Sequence, residues 1–197
     1  MILMVAALKA ELQPFLLNFG AINPRPVGEG TLYSYSQIDI LRLGVGRLKA
    51  SETLRTYLKT AQPEAVLNIG FAGALRSDLP LCQAYHIDSV SSETDKTTYI
   101  LETLQKRIAL PKAYLLTVDE PVLNSQRKEA LTRLYAADLV DMEIFDLVTI
   151  CRETALPFYA VKIVSDQAGD QAERQFRKYF KTCAQKLFET IQPVLPK

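Results

Sequence analysis

Three carboxylates stand at positions from which they could do proton chemistry. Asp166 closes Val161-Lys162-Ile163-Val164-Ser165, an apolar stretch that reads as a buried strand, so its carboxyl would sit at the floor of a crevice. Burial disfavours the charged form and raises a carboxyl pKa, which suits it to proton donation near neutral pH. Glu143 lies within Val140-Asp141-Met142-Glu143-Ile144-Phe145, an acid among apolar neighbours, placed either to start a helix or to hold hydroxyl groups. Glu11 lies one helical turn beyond the first apolar run. Plain structural readings stand beside these. Glu11 could be an exposed helix residue, Glu143 a carboxylate favoured by a helix dipole, and Ser165-Asp166 a helix cap.

The elements that must position these groups follow from hydrophobic period. Residues 2–7 form an apolar run of strand length, and 9–18 show one apolar helical face. Residues 32–35 and 38–43 read as strands joined by a polar turn, and 47–58 as a helix ended before Pro63. Residues 65–69, 85–90, 114–118 and 158–164 are further strands, with a short apolar run at 137–140. Helices are predicted over 125–135, 142–154 and 170–191. This alternation gives an α/β fold, one domain over residues 1–197, with a mixed, largely parallel central sheet flanked by helices.

Glycine and acid fall at strand ends. Gly44 and Gly46 follow 38–43, Gly70 and Gly73 follow 65–69, Asp119 follows 114–118, and Asp166 follows 158–164. Ligands of open α/β sheets bind outside the carboxyl ends of the strands, so these positions converge on one crevice. Asp119, followed by Glu120 and Pro121, reads as a turn opener. Gly44-Val45-Gly46 lacks the third glycine of a dinucleotide fingerprint, since position 49 is Lys49.

Composition narrows the partners. The 197 residues carry a formal charge of +1, and no Lys/Arg run exceeds two. An electrostatic grip on nucleic acid or membrane is not expected, and a small molecule is the default partner. Cys82, Cys151 and Cys183 have no close spacing and read as free thiols of a reducing, cytoplasmic protein. The single histidine, His86, sits in an apolar stretch and reads as structural, so neither a metal nor another cofactor is expected. Residues 1–8 lack a basic leader and are too short for an export signal or a membrane span.

Four ordered blocks resemble the nucleoside phosphorylase/nucleosidase superfamily, and within it the methylthioadenosine/S-adenosylhomocysteine nucleosidases and futalosine hydrolases. They are Val5-Ala6-Ala7-Leu8-Lys9-Ala10-Glu11, then Gly44-Val45-Gly46-Arg47, then Leu67-Asn68-Ile69-Gly70-Phe71-Ala72-Gly73-Ala74-Leu75, and finally Val140-Asp141-Met142-Glu143 through Ile163-Val164-Ser165-Asp166. The resemblance implies cleavage of the N-glycosidic bond of a purine nucleoside. Asp166 would then be the general acid toward the purine, Glu11 the base for the attacking water, and Glu143 the ligand of the ribose hydroxyls. Met142 would pack on the sugar and Ser165 would position Asp166. Val122 would give a backbone contact to the base, with Phe71, Gly73 and Val45 completing the lining.

Two departures from the family pattern bear on substrate. Phe71 stands where relatives often carry Ser, which would crowd a phosphate and remove a hydroxyl donor, favouring hydrolysis over phosphorolysis. The stretch between Tyr85 and Tyr114 is shorter than in methylthioadenosine enzymes, where it builds a dimer contact around the 5′ group. A large 5′ substituent, as in aminodeoxyfutalosine or futalosine of the alternative menaquinone route, is therefore the expected substrate feature. Methylthioadenosine/S-adenosylhomocysteine cleavage is the alternative, and a phosphorylase or a non-catalytic nucleotide-binding module the more distant ones. Either a monomer or a homodimer is compatible with the shortened stretch.

Overall fold

The computed structural model describes residues 1–20, 23–104 and 107–196. Among the described residues, ten strands form a single mixed sheet. They are β1 (Ile2–Ala6), β2 (Arg25–Val27), β3 (Gly30–Tyr35), β4 (Ile38–Arg42), β5 (Ala65–Ala74), β6 (Ala84–Ser92), β7 (Thr98–Ile100), β8 (Lys112–Thr117), β9 (Leu139–Asp141) and β10 (Phe158–Asp166). Five helices flank it: α1 (Lys9–Phe19), α2 (Arg47–Leu58), α3 (Ser125–Tyr135), α4 (Ile144–Glu153) and α5 (Ala172–Ile191).

The strand β5 organises the fold because it is long enough to serve two neighbourhoods. It runs parallel to β1 over residues 65–68 and parallel to β10 over 66–73, then meets β9 antiparallel at Gly73 and Ala74. Pairing continues from β9 to β8, β6 and back to β10, closing a ring of five strands. The strands β1, β4, β3 and β2 extend outward from β5 as a wing.

Burial explains why these segments are strands. Nine of the ten residues of the β5 run AVLNIGFAGA are apolar or glycine, and eight of the ten are buried, the pattern of a strand covered on both faces. Covering is supplied by α1 and α5 on one side, where Leu12, Phe15, Leu187 and Phe188 meet Met4, Ile69 and Val161. On the other side α2 and α4 pack, with Leu54, Tyr57, Leu147 and Val148 against Leu3, Val5 and Ala74. Among the described residues no helix is long and apolar enough to cross a membrane.

Two short edge strands, β2 and β7, were not expected, because three-residue, largely exposed segments carry no period. The helix expected from residue 142 begins instead at Ile144. The carboxylate of Asp141 accepts from the backbone N–H groups of Glu143 and Ile144 at 3.3 Å, so the chain turns before the helix starts. Met142 and Glu143 are thereby left on the turn, facing the strand ends.

The free-thiol reading of the cysteines is corrected. Cys82 and Cys183 form a disulfide across 101 residues of sequence, and only Cys151 is a buried free thiol. Cys82 precedes β6, where its N–H donates to the carbonyl of Val164 at 2.8 Å, and α5 packs Cys183 against the same strand. The pairing is a product of tertiary packing on β10 and leaves no trace in local spacing. His86 lies buried opposite Val161, its Nε2 3.2 Å from the carbonyl oxygen of Ile108.

Candidate active site

A cavity of about 370 Å³ opens at the carboxyl ends of β1, β5, β9 and β10. Glu11, Val45, Phe71, Gly73, Val122, Met142, Glu143, Ser165 and Asp166 all line it. The residues given a role in the site are therefore brought to one place, whereas Gly44, Gly46, Gly70 and Asp119, expected at the same crevice, are not among its lining residues. The volume suits a small organic ligand.

Glu11 occupies the third position of α1 and reaches back to the helix start. One carboxylate oxygen accepts from Leu8 N–H at 2.6 Å, the reciprocal arm of a capping arrangement. The other accepts from Phe71 N–H at 2.7 Å, across from β5. Gly70 makes this approach possible, since a Cβ there would lie 2.6 Å from Glu11 Oε1. A Gly70→Ala substitution is expected to displace the Glu11 carboxylate and lower activity about a hundredfold, as misplacement by about 1 Å does. Wild-type turnover by that variant would show that the Glu11 position is not needed. Burial raises the Glu11 pKa above its ordinary 4.5, against the lowering effects of Lys162 and of the two backbone donors.

Asp166 lies past a register irregularity between Val164 and Asp166 in the β5–β10 pairing, which turns its side chain to the cavity. Its Oδ2 accepts from Ser165 Oγ at 2.7 Å and its Oδ1 from Ala168 N–H at 2.9 Å. Gly73 leaves the room, because a Cβ there would lie 3.1 Å from Asp166 Oδ1. Burial raises its pKa, and the two donated hydrogen bonds and Lys128 work in the opposite direction. Glu143, at the start of α4, accepts from Gly46 N–H at 2.8 Å through Oε1. Burial first, then the nearby Asp141 carboxylate, pushes its pKa up to about 7.

Two charged residues behind the cavity lining carried no expectation of a role from the sequence. Lys162 lies opposite Gly70 in the β5–β10 register, and its ammonium pairs with Asp141 at 2.9 Å, both side chains nearly inaccessible. Burial would lower the lysine pKa, but Asp141, Glu143 and Glu11 together hold it above its ordinary value, so it remains an ammonium. The signal was present: a lysine inside an apolar strand is a buried cation, and a buried cation needs partners. Lys162→Met leaves the acids uncompensated and is expected to destabilise the fold by about 3–5 kcal/mol. Urea denaturation checks this, and the deficit should shrink at acid pH, where the carboxylates protonate. A loss that stays constant with pH would contradict the electrostatic explanation.

The second is Arg47. It was expected only as part of a glycine block, and Asp119 only as a turn opener, yet the two form an ion pair at 3.0 Å.

The family model of the phosphorylase superfamily matches residues 99–195. The chain superposes on the native structure of futalosine hydrolase from Helicobacter pylori with a TM-score of 0.86, at 20% identity, covering 98% of this chain and 95% of that one. The chain shares the fold of that structure. Among curated relatives, the 5′-methylthioadenosine/S-adenosylhomocysteine nucleosidase of Marinomonas sp. (strain MWYL1) is 27% identical over 183 residues, 79% of each chain. The aminodeoxyfutalosine nucleosidase of Helicobacter pylori is 23% identical over 211 residues, 92% of this chain and 91% of that one. The family model's match includes Glu143 and Asp166 but not Glu11 or the Gly70–Gly73 segment.

Proposed function

We propose that this chain is a nucleosidase that hydrolyses the N-glycosidic bond of a 5′-modified adenosine and releases adenine. The observation that carries the reading is the convergence of Asp166, Glu143 and Glu11, from three separate segments, on one largely apolar cavity. A purine anion is a poor leaving group, so the bond breaks readily only when the ring is protonated as it departs. Asp166, its pKa raised by burial, supplies that proton. Departure leaves an oxocarbenium-like sugar, as in other glycoside hydrolysis. Glu143 binds the ribose hydroxyls with the oxygen that Gly46 does not occupy and stabilises the developing positive charge. Glu11 orients the attacking water and takes its proton. Val122 contributes its backbone to the base, and Met142 packs on the sugar.

Hydrolysis is favoured over phosphorolysis by what Glu11 occupies. The N–H groups of Leu8 and Phe71, which could cradle an anion, are both taken by its carboxylate. The Phe71 side chain is fixed edge-to-face on Phe176, with ring centroids 5.5 Å apart, and fills space that a phosphate would need. Three acids on this wall would also repel one. No metal or organic cofactor enters the proposed reaction, and the partner is the nucleoside itself.

For the 5′ substituent the favoured reading is the large group of aminodeoxyfutalosine. Val45, Leu123 and Glu173 line the cavity and are exposed, marking a side through which a 5′ extension can reach solvent. Methylthioadenosine or S-adenosylhomocysteine is the second reading, favoured by the apolar character of Leu8, Val45 and Phe176 on the same wall. Purified protein is given aminodeoxyfutalosine, futalosine, methylthioadenosine and S-adenosylhomocysteine, and the free base is quantified by chromatography. Adenine chiefly from aminodeoxyfutalosine supports the first reading, and adenine chiefly from the thio-nucleosides replaces it with the second. Intact nucleoside in every case would leave only a binding module.

A further inference from the structure

Arg47 is the first residue of α2, a place where a cation runs against the helix dipole. Its partners explain it. The guanidinium grips Asp146 in a two-pronged pair, Nε to Oδ2 at 2.6 Å and Nη2 to Oδ1 at 3.1 Å. Its Nη1 donates to Ser92 Oγ at 3.2 Å, to Thr94 Oγ1 at 2.5 Å and to Asp119 Oδ1 at 3.0 Å. One side chain therefore joins the start of α2, the first turn of α4, the end of β6 and the loop after β8. The residue before it, Gly46, gives the N–H that holds Glu143, and Asp146 stands one helical turn beyond Glu143.

We infer that Arg47 is a positioning residue: its two-pronged pair with Asp146 fixes the start of α2 against the start of α4, and so aims Glu143 at the substrate sugar. The inference rests on the nucleosidase reading. Glu143 has one oxygen fixed by Gly46 N–H, which leaves the other with a single direction toward the cavity. That direction holds only while the two helix starts keep their spacing. Among the described residues the other side-chain hydrogen bond between these two helix starts is that of Glu143 itself to Gly46 N–H; Lys49 on α2 pairs with Glu29, and Arg55 meets Glu153 at the far end of α4. The Phe145 ring lies under the guanidinium, its centroid 6.0 Å from Cζ. Lysine keeps the charge but not the planar fork, so it cannot reproduce the paired contact.

The test compares wild type, Arg47→Lys, Arg47→Met, Asp146→Asn and Asp119→Asn on methylthioadenosine and on its 2′-deoxy counterpart. Wild-type release of adenine from methylthioadenosine establishes the nucleosidase reading first. Its absence from every nucleoside tried sinks that reading and the inference with it, whereas failure of the variants alone sinks only the inference. Arg47→Met is expected to lose about a hundredfold in kcat on the ribonucleoside, in keeping with a misplaced group far from the reacting atoms. It should lose little on the deoxynucleoside and leave inhibition by free adenine unchanged, so that the preference for ribose collapses. Arg47→Lys and Asp146→Asn should fall part of the way, and Asp119→Asn, which spares the α2–α4 pair, should keep the preference. If Arg47→Met does not fold, Arg47→Lys and Asp146→Asn carry the comparison. Equal losses on both sugars, or a ribose preference kept in the variants that break the pair, would overturn the inference.

Discussion

Asp166→Asn is expected to fold as the wild type and to lose adenine release by about a hundredfold or more, the usual worth of a general acid. The amide can keep both local contacts, accepting from Ala168 N–H and meeting Ser165 Oγ, which can donate or accept. What it cannot do is deliver a proton to the departing purine. The pH profile carries the same information with a sign. Asp166 must be protonated to act, and burial raises its pKa, so wild-type activity falls as pH rises through that raised value. The Asn variant should lack this alkaline limb while keeping its low residual rate. Near-wild-type turnover, or an unchanged alkaline limb, would remove Asp166 from the chemistry.

Glu11→Gln is expected to lose hydrolysis by about 10²–10⁴-fold, within the range of a lost general base. Adenine should still bind, because the Glu11 carboxylate lies against the backbone of Leu8 and Phe71 rather than beside Asp166. The variant also carries a structural penalty. Both oxygens of Glu11 accept backbone N–H groups, so the glutamine amine must face one donor with another, and an unsatisfied buried donor costs about 1–3 kcal/mol. Binding of free adenine measured by calorimetry separates the two effects. Retained affinity with failed hydrolysis assigns Glu11 to the water, and a strong loss of adenine affinity assigns it to recognition. Wild-type activity should fall as pH drops through the raised Glu11 pKa, since the base must be ionised.

Much of this site was legible because its signals are local. An acid closing a buried strand, or a glycine after one as at Gly44, marks a strand end, and strand ends of an α/β sheet converge. Gly70 and Gly73, expected to follow a strand ending at residue 69, instead lie within β5, which continues to Ala74. The boundaries of α2 and α3 followed from period, and the structure adds Asn124 as the N-cap of α3, accepting from Arg127 N–H. Contacts between distant segments were not legible. The Cys82–Cys183 bond, the Lys162–Asp141 pair and the fivefold grip of Arg47 each join residues that share no local pattern. Lys162 came nearest to being read, since its strand is otherwise apolar, but its partner lies 21 residues away on β9. The ring closed by β5, β10, β6, β8 and β9 was equally hidden, because the antiparallel pairing of β6 with β10 spans more than 70 residues of sequence.

The central claim is that water, activated at Glu11, attacks the sugar as adenine leaves. Its most direct test is cleavage of a 5′-modified adenosine in ¹⁸O-labelled water, with and without phosphate, followed by mass analysis of the sugar. One labelled oxygen in the free sugar, at a rate independent of phosphate, is the predicted result. An unlabelled sugar 1-phosphate formed only when phosphate is present would contradict it and make the enzyme a phosphorylase.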